Sequence, residues 1–214
     1  MGLDAFLTTF NASAIDPRDL EDDAAAGKKF SNKLANDRAR IEERLTALLG
    51  RRGILRRKVS VPSPVMSEAD RQCSAQLGYE ALQNLRGLAA HIEFEQNVPS
   101  GPSEVNGAVL DEVYAGSVKS RLFTHLIHHA DDSGYYVPVG FPTPILEGEL
   151  SVGSVQVLAR ELALLYAPLG SPKVWEDETP DDGCPWTSER WAWAIFEWLC
   201  RMSAARRLSI AFSG

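Results

Sequence analysis

The sequence predicts an α+β fold, in which a small, mainly antiparallel sheet is covered by about five helices. Two short segments, residues 135–139 and 208–212, have the composition and alternation of half-buried strands. Most other apolar residues recur with the spacing of amphipathic helices. At 214 residues, of which 44% are hydrophobic, the chain is long enough to bury one large core.

The first 60 residues predict an N-terminal helical arm attached to an α+β body at 61–214. A helix opening at Ser31 carries one apolar stripe, and residues 54–61 have the composition of an exposed strand. Pro62 and Pro64 then break the chain. A further short helix at the N-terminus is predicted by the i, i+3, i+4, i+7 spacing of Leu3, Phe6, Leu7 and Phe10.

Three helices are predicted in the body. Ser67 and Asp70 have capping-box spacing, which predicts a helix from 67 to about 94. Ser151 precedes an amphipathic helix that Pro168 ends, and Thr187 caps a helix rich in tryptophan.

A hairpin is predicted around the segment that begins at His125 and ends at Phe141. Asp131 to Gly134 is a turn sequence between residues 122–127 and 135–139, which are predicted as its two strands. Most of the chemically versatile side chains of the chain lie on this motif loop: His128, His129, Asp131, Asp132, Gly134, Tyr135 and Tyr136.

Composition excludes several classes of protein. No apolar run reaches the roughly 18 residues of a membrane span, so no membrane partner is expected. The N-terminus lacks a signal-peptide pattern, and three widely spaced cysteines suggest neither a disulfide framework nor a zinc knuckle. The chain is therefore interpreted as cytoplasmic.

Charge is unevenly distributed along the chain, whose net charge is −7. Residues 1–60 carry 12 Lys or Arg and 9 Asp or Glu, whereas residues 61–214 carry 10 and 20. An acidic body repels phosphate and attracts basic partners, so a basic protein is the expected partner and nucleic acid is not. The candidate contacts are an acidic run with two tryptophan anchors: Glu176, Asp177, Glu178, Asp181, Asp182, Trp186 and Trp193.

The motif loop also permits a metal site or a hydrolase. His125 and His129 are four residues apart, as in metalloprotease helices, but Leu126 stands where the glutamate of that motif belongs. No nucleophile elbow, phosphate-binding glycine pattern or complete metal-ligand set accompanies them. No catalytic residue, metal ligand or cofactor is therefore assigned, and paired aspartates at a turn are most often bonded to their own backbone.

The motif loop resembles a segment of little-characterised bacterial proteins, His-Ala/Ser-Asp, two variable residues, Gly-Tyr-Tyr, one variable residue, Pro. The likeness rests on His129, Asp131, Gly134, Tyr135, Tyr136 and Pro138, and it spans about residues 77–170. Those proteins are loosely associated with immunity against secreted toxins, and no catalytic mechanism accompanies the resemblance.

Two hypotheses follow from the sequence. The first is a non-catalytic binding protein, most concretely an immunity protein that covers a basic toxin or effector with its acidic, tryptophan-bearing surface. The alternative is a metal-binding protein or hydrolase that uses the hairpin from His125 to Tyr136. The absence of a complete catalytic motif favours the first.

Overall fold

The computed structural model describes residues 2–11, 24–50, 58–130, 133–172 and 184–213. These ranges contain seven α-helices, six strands and one short 3₁₀ helix at Pro102–Glu104. The strands are β1 Gly2–Thr8, β2 Ser74–Gly78, β3 Ser133–Val137, β4 Ile145–Glu147, β5 Leu150–Ser154 and β6 Ser209–Ser213. The helices are α1 Ala24–Gly50, α2 Glu68–Arg71, α3 Tyr79–Glu95, α4 Gly107–Tyr114, α5 Thr124–His128, α6 Val155–Leu165 and α7 Thr187–Arg206.

All six strands join one mixed sheet in the order β2-β1-β6-β3-β5-β4. Every neighbouring pair is antiparallel except β3 and β5, which run parallel. The predicted α+β class with a mainly antiparallel sheet is confirmed. Strand β6 forms the centre because it pairs with both β1 and β3.

Helices cover both faces of the sheet. Side chains alternate between faces along a strand, so Tyr135 and Tyr136 of β3 enter different cores. Tyr136 packs with the apolar residues of α3, α6 and α7. Tyr135 packs on the opposite face with Leu34, Ile41 and Leu45 of α1. The long helix α1 therefore lies on one side of the sheet, and the main helical layer lies on the other.

Residues 2–8 form a central strand, and the helix predicted at the N-terminus is wrong. Leu3, Ala5 and Leu7 alternate with more exposed neighbours and are fully buried. Burial with a period of two is that of a strand, and this strand pairs with β2 and β6. These partners are distant in sequence, so the local spacing of apolar residues did not reveal them. The predicted arm thus contributes β1 to the sheet and α1 to one of its two cores.

The helix predicted from 67 to 94 is interrupted by a strand. Its capping box is real: the Ser67 hydroxyl oxygen accepts the Asp70 N–H, and the Asp70 carboxylate accepts the Ser67 N–H. However, α2 ends after one turn. Ala75 and Leu77 are buried between exposed neighbours, so residues 74–78 pair with β1 before α3 begins.

The hairpin prediction is half wrong. Residues 133–137 form a strand, but residues 124–128 are the short helix α5, and the predicted turn residues Asp131 and Asp132 lie outside the described residues. Ser154 caps α6 through the Val157 N–H, three residues after the predicted start. The predicted strand at 54–61 is described only from Lys58, where no strand is found. Among the described helices, none combines the length and hydrophobicity needed to cross a membrane.

Candidate functional site

The N-terminal end of α5 is held by a buried glutamate. Glu161 of α6, only 2% exposed, accepts the backbone N–H groups of His125 at 2.9 Å and Leu126 at 2.7 Å. It also accepts the Thr124 hydroxyl at 3.3 Å. Burial raises the pKa of Glu161 to about 7, although these hydrogen bonds oppose the shift. The carboxylate supplies acceptors that a five-residue helix needs for its unpaired N–H groups.

The C-terminal end of α5 is held by a buried arginine. Arg86 of α3, 1% exposed, donates from Nε to the Leu126 carbonyl and from Nη2 to the His129 carbonyl, both at 2.8 Å. Negative charge at the start of a helix and positive charge at its end both favour the helix dipole. Helix α5 is therefore fixed by two charged side chains that lie far from it in sequence.

Two buried histidines, His125 before the motif loop and His129 within it, contact backbone groups. Nδ1 of His125 accepts the Ser154 N–H at 2.9 Å. The ring nitrogens of His129 face the carbonyl oxygens of Ala130 at 2.9 Å and Tyr135 at 3.1 Å. Burial lowers the pKa of each ring to about 4, against the effect of nearby carbonyl groups. Both rings are therefore neutral at neutral pH, and the single N–H of His129 donates to only one of these two carbonyl oxygens.

The tyrosine and glycine residues of the loop fit closely against these histidines. His129 stacks on Tyr136 with ring centroids 4.2 Å apart, and the Tyr136 hydroxyl donates to the His125 carbonyl at 2.7 Å. Gly134 has a φ of +110°, and a Cβ there would lie 2.4 Å from the Ser151 carbonyl oxygen. A Cβ on Gly153 would lie 2.3 Å from the Tyr136 ring. Both positions require glycine, because no side chain fits.

Tyr135 connects the motif loop to α1. Its hydroxyl donates to the Asp37 carboxylate at 2.9 Å, across the second core. His128 is half-buried, and burial lowers its pKa. The described side chains of the loop thus join α5, the sheet and α1 into one unit. This arrangement explains these residues as a packing device, since Nδ1 of His125, one ring nitrogen of His129 and the hydroxyl groups of Tyr135 and Tyr136 are hydrogen-bonded within the fold.

The arrangement gives little support to the metal or hydrolase alternative. Nδ1 of His125 and both nitrogens of His129 already face backbone partners, and both residues are at least 97% buried. Within the described ranges, no group of three or more His, Cys, Asp or Glu side chains is placed to hold a metal ion. Asp131 and Asp132 lie outside those ranges.

The tryptophan anchors predicted for a partner are not at the surface. Trp186 is 3% exposed and Trp193 is 4% exposed, and the Trp193 indole N–H donates to the Leu162 carbonyl at 2.8 Å. Both rings belong to the main core, which leaves them almost no exposed surface. Helix α7 is apolar on several sides because it is enclosed between α3, α6 and the sheet. The acidic residues Glu176, Asp177, Glu178, Asp181 and Asp182 lie outside the described residues.

A second acidic surface, which sequence reasoning missed, covers α3, α4 and their connection. Residues 79–118 contain six Asp or Glu and one Lys or Arg, which is the buried Arg86. We call this surface the α3–α4 acidic face. The sequence contains a run of 40 residues with a single basic side chain, which could have indicated this surface. Only the structure shows that this side chain, Arg86, is buried. The exposed carboxylates are Glu80, Glu95, Glu104, Asp111 and Glu112.

The fold and this surface define an acidic α+β protein in which His125 and His129 are buried and contribute to packing. A family model described as "Putative DNA-mimic protein" matches residues 20–212, and the chain belongs to that family. The family description indicates a protein-binding role without catalysis. No curated protein and no solved structure matches the chain.

The family corrects the predicted partner. Nucleic acid was considered an unlikely partner, and a basic toxin or effector was expected. A DNA mimic is instead defined by its relation to proteins that bind DNA, and no toxin partner is shown. The prediction set nucleic acid aside because negative charge repels phosphate, and it did not connect the attraction of basic partners with proteins that bind DNA. The same charge presents a DNA-binding protein with a feature of its own ligand. The resemblance of the motif loop to toxin-immunity proteins stays a prediction.

Proposed function

We propose that this protein is a non-catalytic DNA mimic whose α3–α4 acidic face occupies the DNA-binding surface of a basic protein. The observation that carries the proposal is the removal of the only positive charge from residues 79–118. Arg86 is 1% exposed and is bonded to carbonyl groups of α5, so every exposed charge of residues 79–118 is a carboxylate. A surface of one sign attracts the cationic groove that DNA would otherwise enter.

Hydrogen bonds hold several of these carboxylates in place. Glu104 accepts the Ser100 hydroxyl at 2.6 Å and the Ser100 N–H at 2.8 Å. Glu95 accepts the Asn106 side-chain amide at 2.8 Å, which joins the end of α3 to the start of α4. The Ser100 hydrogen bonds also lower the pKa of Glu104, so this carboxylate stays ionised at neutral pH. Fixed charges lose less conformational entropy when a partner binds.

The acidic run at 176–182 is proposed as a second contact. It supplies Glu176, Asp177, Glu178, Asp181 and Asp182 and is followed by Cys184, which contacts the main core. Together the two acidic segments account for most of the negative balance of residues 61–214. A steered, salt-sensitive association is expected from such a charge distribution.

The test is displacement of a DNA-binding protein from duplex DNA. Partners recovered from the source cells at low salt would be purified and bound to a fluorescein-labelled duplex, and the protein would then be titrated in while anisotropy is followed. The proposal expects the partner to leave the duplex, with displacement weakening as salt rises from about 50 to 200 mM. A partner that keeps its DNA while it binds this protein would overturn the proposal.

A matched pair of variants locates the contact. Asp111→Lys with Glu112→Lys reverses two charges on α4, and Asp4→Lys with Glu43→Lys reverses two exposed charges elsewhere. The first double variant should raise the concentration needed for displacement at least about tenfold, whereas the second should change it about twofold or less. Equal losses in both variants would show that net charge, and not the α3–α4 acidic face, is recognised.

A further inference from the structure

An open groove of basic character follows the outer side of α1. It encloses about 990 Å³ and is lined by three lysines, one arginine and two asparagines, together with two carboxylates. We call it the α1 groove. Its basic side chains are Lys28, Lys29, Lys33 and Arg40, all of them exposed.

The charges of the α1 groove are only partly balanced. Asp37 is one of the two carboxylates, and it accepts the Tyr135 hydroxyl at 2.9 Å, which turns it toward the sheet. Glu149 is the other. Two further arginines of α1 are used elsewhere: Arg38 pairs with Glu42 and Arg44 pairs with Glu147. In the described part of the chain, no carboxylate forms an ion pair with the four cations of the groove.

The α1 groove is separated from the α3–α4 acidic face by the sheet. Helix α1 packs on the face that carries Tyr135 and Ala211, whereas α3 packs on the face that carries Tyr136 and Phe212. Packed layers are about 10 Å apart, so the two charged surfaces are on the order of 20 Å from each other. At physiological salt the Debye length is about 8 Å, so the acidic face scarcely weakens the field at the groove.

We propose that the α1 groove binds the phosphate backbone of duplex DNA. From Lys28 to Arg40 the helix rises about 18 Å, a length over which one DNA strand presents about five phosphates. The groove is open and its cations are exposed, which suits an extended polyanion better than a small enclosed ligand. Asn32 and Asn36 line the same groove and add neutral donors for phosphate oxygens.

This site is independent of the proposed mimicry, because it lies on the other side of the sheet and uses charge of the opposite sign. It would allow the protein to hold DNA with one surface while the acidic face engages a DNA-binding protein. Contacts to phosphate carry no sequence information, so binding to the groove is expected to be the same for different duplex sequences.

The experiment uses the full chain and a labelled 16-base-pair duplex, with no other protein present. Fluorescence anisotropy at 50 mM NaCl should give a dissociation constant on the order of 10 μM, and log–log salt plots should have a slope of about −2 to −4. Lys29→Glu with Lys33→Glu should weaken binding at least about tenfold and reduce the slope by about 2. Absence of binding at 100 μM protein and 50 mM NaCl would overturn the proposal.

Lys119→Glu with Arg121→Glu is the matched control, since it changes the net charge equally and replaces exposed side chains outside the groove. It should keep binding within about twofold of the parent protein. Equal weakening by both double variants would overturn the assignment to the groove. Urea midpoints of both variants establish that they are folded, and partner displacement by the acidic face should persist in the groove variant.

Discussion

Glu161 and Arg86 hold opposite ends of the same five-residue helix. The Glu161 carboxylate accepts N–H groups of His125 and Leu126 at the start of α5, and Arg86 donates to the carbonyl groups of Leu126 and His129 at its end. Both charged side chains are buried. The backbone of α5 and His129 is thus held by two charged side chains, Arg86 from α3 and Glu161 from α6.

Replacing Arg86 with methionine should destabilise the protein by about 3 kcal/mol, because two buried carbonyl groups lose their donors. Urea unfolding followed by tryptophan fluorescence would measure the change. Arg121→Met, at an exposed position, should cost no more than about 0.5 kcal/mol. Similar costs for both substitutions would contradict the role assigned to Arg86.

Gly153→Ala should destabilise the protein by about 3 kcal/mol, because the added Cβ would lie 2.3 Å from the Tyr136 ring and displace it from His129. Gly140→Ala is the control, since nothing lies within 4 Å of a Cβ at that position. Thermal unfolding of the two variants compares them directly. A Gly153→Ala protein as stable as the parent would show that Tyr136 can move without cost.

Stability should fall as the pH is lowered from about 6.5 to 4.5. The pKa values of His125 and His129 are about 4 in the folded protein and near 6.5 when unfolded, so unfolding takes up two protons in this window. Glu161 acts in the opposite sense, because its pKa is raised to about 7 and the folded state holds its proton. For these three groups the net uptake of about one proton corresponds to about 1.4 kcal/mol per pH unit, and the lowered pKa of His128 adds to it.

Unfolding free energies measured in urea at several pH values test this expectation. His129→Gln removes one of the histidines with a lowered pKa, so the fall in its stability between pH 6.5 and 4.5 should be clearly smaller than in the parent protein. A variant that keeps the full slope would rule out His129 as a source of the pH dependence.

Tyr135→Phe should destabilise the protein by about 1.5 kcal/mol, because it removes the hydrogen bond to the Asp37 carboxylate that connects the sheet to α1. In this variant amide hydrogen exchange should become faster in α1, whereas exchange in α7 should stay as in the parent protein. Tyr166→Phe, at an exposed position, should leave both stability and exchange unchanged. Unaltered exchange in α1 would show that the apolar contacts alone fix the helix.

The spacing of apolar residues correctly predicted those helices and strands whose buried residues recur with one clear period, either 3.6 or two residues. The spacing of apolar residues identified α6 and α7, and the alternation at residues 208–212 identified β6. The same method failed at residues 3–10, where apolar positions fit both a helix and a strand. The segment forms a strand because pairing with β2 on one side and β6 on the other satisfies its backbone N–H and C=O groups.

The candidate surfaces were likewise predicted only in part from the sequence. The negative charge of the body was visible in the sequence, and so was the acidic run at 176–182. Trp186 and Trp193 were expected at the surface, since composition alone does not reveal which side of an apolar helix is covered. The α3–α4 acidic face emerged only when Arg86 was found inside the core.

By itself, the sequence determined the α+β class, the main amphipathic helices, the C-terminal strand and the acidic balance of the body. These properties depend on composition and on periodicities of two or 3.6 residues, which are local. The tertiary structure alone decided that residues 2–8 form an interior strand of the sheet and that His125 and His129 are buried. It also placed positive and negative surfaces on opposite sides of the sheet. These outcomes depend on contacts between residues distant in sequence, where a strand finds its partners and a buried charge finds the groups that it binds.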